Sequence, residues 1–186
     1  MVHGTDIGYQ YIVRKTDGMR DRFIINDNQG EYIMATRSII GVMHGDNCKA
    51  VYCHWDGYLA NNGRILNDHF DSAKANELVS LGSLSSLGRD IGEKHSFENP
   101  FEYGTDDYKA HRKMYDNMCT FYFRDRGETF DGETFKTFTS HNDLFEYAES
   151  SWCEFIYIMK DGVWYVDQME GAGLEILADA LNEITQ

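Results

Sequence analysis

Three short polar clusters hold the residue types that do chemistry: Tyr52-Cys-His-Trp-Asp-Gly-Tyr58, Gly92-Glu-Lys-His95 and Arg124-Asp-Arg-Gly-Glu128. In the first, His54 and Asp56 stand two apart on a strand-like run, so they share a face and can form a hydrogen-bonded imidazole–carboxylate pair. Such a pair can serve as a general base with its orienting carboxylate and would suit cleavage of a phosphodiester or an amide. The structural alternative is that Asp56 caps the turn at Gly57 and His54 satisfies a buried backbone group. Trp55 points the other way and is expected in the core.

Lys94, His95, Arg124 and Arg126 stand out because the chain is otherwise acidic. Arg124 and Arg126 share one face of an expected strand, Cys119 to Asp125, and guanidinium forks suit phosphate or carboxylate. Converging with His54, they would make a small anion site, for example for a nucleotide. The candidate ligand-binding set is His54, Asp56, Tyr58, Lys94, His95, Arg124, Arg126 and Glu128. The alternative is that Arg126 and Glu128 pair around Gly127 at a turn.

No metal or cofactor is expected. Cys48, Cys53 and His54 are close in sequence, but Cys53 and His54 face opposite sides of a strand, and no H-E-x-x-H or C-x-x-C is present. Walker, dinucleotide-binding and nucleophile-elbow patterns are absent. The stripe Tyr108, His111, Tyr115, Met118 reads as core. Asp167, Glu170, Glu175, Asp179 and Glu183 read as a solvated acidic face.

The chain has 31 acids against 17 bases, a net charge of −14. Residues 1–33 hold five acids and four bases, so residues 34–186 hold 26 and 13 and carry −13. That field repels nucleic acid and anionic membrane and attracts basic protein surfaces. A hydrophobic content of 42% supports a packed core. No apolar run is long enough to span a bilayer, and the N-terminus lacks a signal pattern, which reads as a cytoplasmic protein. The four cysteines are scattered and read as reduced, buried thiols.

The elements that must position these groups are mixed. Residues 1–33 read as a β-rich extension, with strands Tyr9 to Val13 and Arg22 to Ile25 and turns at Asp17-Gly18 and Asp27 to Gly30. Met34 reads as a second start, and a chain beginning there is expected to fold. Ser38 to His44 and Cys48 to Asp56 form a hairpin. Helices follow: Arg64 to Phe70, capped by Asn61 or Asn62, and one opened by Ser72 that stops near Gly82. Ser83 to Gly88 reads as a turn. A helix capped by Thr105 comes next, then the Cys119 strand and a hairpin turning at Asp131-Gly132. Ser140 opens a short helix, Trp152 to Lys160 pairs with Val163 to Gln168, and a last helix runs from Leu174 to Ile184. The fold expected is α+β: antiparallel hairpins forming a mixed sheet, helices mainly on one face, and a single domain over 34–186.

The run Tyr52-Cys-His-Trp-Asp-Gly-Tyr58, with Leu81-Gly-Ser-Leu-Ser-Ser-Leu-Gly88, Gly92 to His95, Cys119 to Glu128 and Ser150 to Ile158, resembles a family of small, mostly uncharacterised proteins of tailed bacteriophages and their prophages. The resemblance covers roughly residues 35–168. Family members usually carry Pro where this chain has Leu59, and Gly where it has Phe123. What it implies is a phage setting and the host cytoplasm, with no activity attached. With the acidic charge, it suggests an accessory protein that binds and inhibits a basic host protein of defence or nucleic-acid handling, itself binding neither nucleic acid nor membrane. The other readings are a binder of a nucleotide-like anion and a His54/Asp56 hydrolase.

Overall fold

A computed structural model of the chain describes residues 10–14, 22–27, 30–33, 35–96, 100–129, 132–169, 171 and 173–184, the first three segments by backbone alone. It divides into two compact units, residues 1–35 and 36–186. In the first, β1 (Gln10–Arg14), β2 (Arg22–Asp27) and β3 (Gly30–Ile33) form an antiparallel meander. Tyr9, the Asp17-Gly18 turn, Met34 and Glu170 lie outside the described residues.

The second unit is an α+β fold on an eight-stranded mixed sheet. Its strands are β4 (Arg37–His44), β5 (Asn47–Cys53), β6 (Leu84–Ser86), β7 (Thr120–Phe121), β8 (Lys136–Phe138), β9 (Cys153–Lys160), β10 (Val163–Asp167) and β11 (Glu175–Ile176). Its helices are α1 (Arg64–His69), α2 (Ser72–Leu81), α3 (Asp106–Tyr115), α4 (His141–Ser150) and α5 (Leu177–Glu183). The strand order is β11-β10-β9-β4-β5-β6-β7, with β8 also paired to β5. The β4–β9 and β5–β6 pairs are parallel and the others antiparallel.

Strand β4 is central, so its Ser38–Val42 run is buried on both faces. Ile40 and Val42, with Val51 and Cys53 of β5, pack under Leu66 of α1, Ala75, Leu78 and Val79 of α2, and Leu177 and Leu181 of α5. Ile39, Cys48 and Ala50 face the other way, toward Leu144 and Ala148 of α4. Three helices thus cover one face and one covers the other. Helix α3 buries none of its ten residues.

Local chemistry sets the helix starts. Helix α2 opens at Ser72 as expected, and Asp71 caps it by accepting the Lys74 N–H at 2.9 Å. Thr105 and Ser140 cap α3 and α4 as their side-chain spacing predicts. Before α1, Leu59–Gly63 form a π-helical turn, and Asn62 does not cap it. Asn62 is fully buried instead, and its Nδ2 donates to Ser38 Oγ (3.3 Å), Cys53 Sγ (3.4 Å) and the Trp55 carbonyl (3.3 Å).

Three further readings are corrected. Leu84–Ser86 is a strand, because Cys53 of β5 offers it a parallel partner. The Cys119 strand is only Thr120–Phe121, since the chain turns over residues 122–126 to place Asp125 under Phe121. Asp167 is buried: its carboxylate accepts the Met169 N–H at 2.7 Å and meets His141 at 3.2 Å. The turn expected at Asp131 lies outside the described residues, and the strand beyond it is β8.

Gly57 sits where the chain after β5 crosses the start of β4. A Cβ there would lie 2.8 Å from the Arg37 carbonyl carbon and 2.9 Å from the Thr36 oxygen, both backbone atoms. Gly57→Ala is therefore expected to cost about 1–3 kcal/mol, read as a lower midpoint in urea with an unchanged m-value.

Candidate functional site

The motifs Gly92 to His95 and Arg124 to Glu128 meet, but as a clamp. Arg124 Nε and Nη2 grip the neighbouring Asp125 carboxylate at 2.8 and 2.9 Å. Nη1 donates to the carbonyls of Ile91 (3.1 Å) and Gly92 (2.7 Å), and Nη2 also to that of Cys119 (2.8 Å). Asp125, whose side chain is fully buried, accepts the backbone N–H groups of His95 (3.1 Å) and Phe121 (2.8 Å). The His95 ring lies with Nε2 3.3 Å from the Cys119 carbonyl and 3.6 Å from Asp125 Oδ2, and it stacks on Tyr115 at 4.6 Å. Arg124 is spent on this node and does not share a ligand-facing strand face with Arg126. Its guanidinium also covers the Phe121 ring at 4.7 Å.

His54 and Asp56 do not pair. His54 Nδ1 is taken by the Tyr52 hydroxyl at 2.8 Å. Asp56 adopts a left-handed φ of 57°, and its carbonyl accepts the backbone N–H of Asn62 (3.2 Å) and the Nδ2 of Asn61 (3.3 Å). The geometry of a base with an orienting carboxylate is therefore absent, because the chain turns at Asp56 and carries the carboxylate away. Partial burial, then the charges of Arg37 and Arg126, hold His54 below the usual histidine range. Burial pushes the Tyr52 hydroxyl up to about 12, so it keeps its proton at neutral pH.

These groups form a corner. The β4–β5 ladder ends with Ser38 opposite Cys53, and Arg37, the residue before, pairs with Cys153 of β9. Ser83 joins Tyr52, whose N–H donates to its Oγ at 3.3 Å, to Tyr122, whose N–H donates to its carbonyl at 3.0 Å. The Arg126 guanidinium lies over the Tyr122 ring at 4.9 Å, and its Nε is 3.6 Å from Glu128 Oε1, so the pairing around Gly127 is present.

A cleft of about 850 Å³ opens at the carboxyl ends of the parallel strands β5 and β6, where folds of this kind commonly seat ligands. Trp55, Asp56, Arg64 and Asp68 line one side, Ser85 to Arg89 the base, and Tyr108, His111, Arg112 and Tyr115 of α3 the other. The α3 residues are spaced as one helical stripe. That stripe was expected in the core. It lines the cleft because α3 lies over a gap and not on the sheet. Trp55 is likewise 47% exposed, not core.

Of the candidate residues, Asp56 and His95 line the cleft. His54, Arg126 and Glu128 make the corner, and Arg124 makes the clamp. Tyr58 and Lys94 are exposed and join none of these groups. The residues the sequence did not single out are Arg37, Arg64, Arg89 and Arg112. Arg112 had a legible signal, since it sits within the Tyr108–Tyr115 stripe. All four cysteines are free and buried, and burial pushes each thiol up to about 12, so none is a nucleophile at neutral pH. Among the described residues, no group of His, Cys, Asp and Glu could hold a metal ion, and no helix is long and apolar enough to cross a membrane.

Removing the Asp125 carboxylate leaves a buried guanidinium and two N–H groups without their partner. Asp125→Ala is expected to cost about 3–5 kcal/mol and to loosen α3 through His95. Chemical denaturation reads the first effect, and faster amide exchange over residues 106–115 reads the second.

No protein-family model matches this chain, and neither does any curated protein or solved structure, so a functional reading rests on the geometry of cleft, corner and clamp.

Proposed function

We propose that this protein binds a small anionic ligand with an aromatic ring, a mononucleotide-like molecule, in the cleft. The observation that carries the reading is the placing of Arg64, Arg89 and Arg112 around one cavity in a chain of net charge −14. No hydrogen bond or ion pair ties these three guanidiniums to another described residue, so their donors face solvent or a ligand. Arginine forks suit phosphate. Trp55 and Tyr108 offer rings for stacking, and Asp56, Asp68 and Asp116 accept from amino and hydroxyl groups. The cavity volume falls in the range of small-molecule sites. A nucleic-acid polymer fits poorly, because its further phosphates would meet a surface rich in carboxylates.

Titration with nucleoside mono- and diphosphates, followed by tryptophan fluorescence, tests this. Saturable quenching is expected. Arg89→Ala with Arg112→Ala should weaken binding by roughly tenfold or more per lost charge-assisted contact. Absence of saturable binding by any mononucleotide, or binding indifferent to both substitutions, sinks the reading.

A second reading has its own support. All six arginines of residues 36–186 lie in the cleft, the corner or the clamp, which leaves seven lysines as the other bases of residues 34–186, a stretch that holds 26 acids. That acidic surface, together with the phage resemblance, supports an accessory protein that docks on a basic host protein by presenting carboxylates. A lysate pull-down at low and at high salt checks it. A basic host protein retained only at low salt is expected, and an empty low-salt eluate rejects it.

A further inference from the structure

Among the described residues five polar side chains are buried: Ser38, Asn62, Ser85, Asp125 and Asp167. Four of them have partners inside the protein. Asn62 donates to Ser38, Asp125 is held in the clamp, and Asp167 meets His141 and the Met169 N–H. Ser85 differs. Its carbonyl accepts the Trp55 N–H at 3.1 Å, but its hydroxyl bonds to no other residue. Among the described residues no wholly enclosed side-chain nitrogen or oxygen lacks a partner, so the Ser85 hydroxyl reaches open space, and the open space that Ser85 lines is the cleft. A hydroxyl on a residue only 4% exposed calls for a partner from that cavity. We propose that the cleft takes its ligand ring first, with Ser85 reading the hydrogen-bonding edge of a nucleobase and the arginines holding the phosphate at the mouth. This rests on the mononucleotide reading of the cleft and assigns the orientation and the ring chemistry within it.

The lining groups are ordered by depth. Ser85, Leu87 and Gly88 are buried, Asn61 and Ser86 are half-buried, and Arg64, Arg89 and Arg112 are exposed. Positive charge therefore lies at the mouth of the cleft and uncharged groups at its floor. A phosphate dianion stays at the mouth, where it meets guanidinium forks and gives up less hydration. A flat ring goes to the floor, where Leu87 and the half-buried Ile65 favour its transfer from water. A plain aryl ring there would leave the Ser85 hydroxyl unbonded, whereas the edge of a nucleobase carries donors and acceptors. Two more uncharged groups at that depth are open. Asn61 Nδ2 donates to the Asp56 carbonyl (3.3 Å) and to Asn62 Oδ1 (3.0 Å), which leaves Asn61 Oδ1 as an acceptor. The Ser86 hydroxyl also bonds to no other residue. Two hydroxyls, each donor and acceptor, and one amide oxygen match the amino, imino and carbonyl groups of a base edge. A site built this way discriminates against a ring without such an edge, because its own polar groups would stay unpaired.

The test is calorimetric binding of adenosine, guanosine, cytidine and uridine 5′-monophosphates to the full chain, with phenyl phosphate as the ring that lacks a hydrogen-bonding edge. Ser85→Ala is compared with the Arg89→Ala, Arg112→Ala protein. At least one nucleotide is expected to bind more tightly than phenyl phosphate. Ser85→Ala should weaken that nucleotide about three- to tenfold and leave phenyl phosphate unchanged, while the arginine substitutions weaken both. Without ligand, Ser85→Ala should unfold at the same urea midpoint as the unsubstituted protein or a higher one, because no internal hydrogen bond is lost. A lower midpoint means that the hydroxyl serves the fold, and it overturns the proposal. So does phenyl phosphate binding that falls as much as nucleotide binding in Ser85→Ala. Nucleotide binding that depends on the arginines but is indifferent to Ser85→Ala overturns this proposal and leaves the cleft reading standing. Absence of binding by every mononucleotide removes both.

Discussion

Asp125 is a fully buried carboxylate, and such a charge persists only where its partners replace water. Here the partner is the preceding residue, Arg124, whose fork grips both oxygens, while two backbone N–H groups complete the shell. The remaining Arg124 donors reach the carbonyls of Ile91, Gly92 and Cys119, so one guanidinium ties the segment after β6 to the end of α3 and to β7. The cleft and the corner both depend on that node. His95, seated on Asp125, carries the stack with Tyr115 that sets α3 over the cleft. The turn that buries Asp125 also presents Tyr122 and Arg126 at the corner.

A second constraint governs the opposite side of the cleft. The segment after β5 must leave the sheet at once, since Gly57 packs directly on the backbone of Thr36 and Arg37. The left-handed Asp56, the π-helical turn and the buried Asn62 over-determine its path. Trp55 is left exposed beside the cavity as a result. The two sides therefore differ in character. One is held by short backbone contacts and a buried amide, the other by a ring stack on a helix with no buried residue. Motion on ligand entry belongs to the second.

Much of the α+β order was legible in residues 34–186. Ile39 and Ile40, Val51 and Cys53, and the run Phe155 to Met159 carry enough apolar residues for strands wherever they pair, and Asp-Gly turns and Ser or Thr caps act within a few residues. Short strands were not legible: Leu84–Ser86 and Lys136–Phe138 are extended because β5 offers its edge, and nothing local marks them. The stripe Tyr108, His111, Tyr115 was legible as one face of a helix. Whether that face met the sheet or a cavity was not, because the same spacing serves both.

The sequence by itself determined the charge, the strand and helix propensities, and which short motifs hold donors and acceptors, since these depend on residue type and near neighbours. Tertiary structure alone decided what each motif does. The Arg124 guanidinium became a clamp because the distant carbonyls of Ile91 and Gly92 converge on it with that of Cys119. His54 parted from Asp56 because the chain turns between sheet and helix. Convergence of groups far apart in sequence is a property of the folded path, and a chain read in order does not contain it.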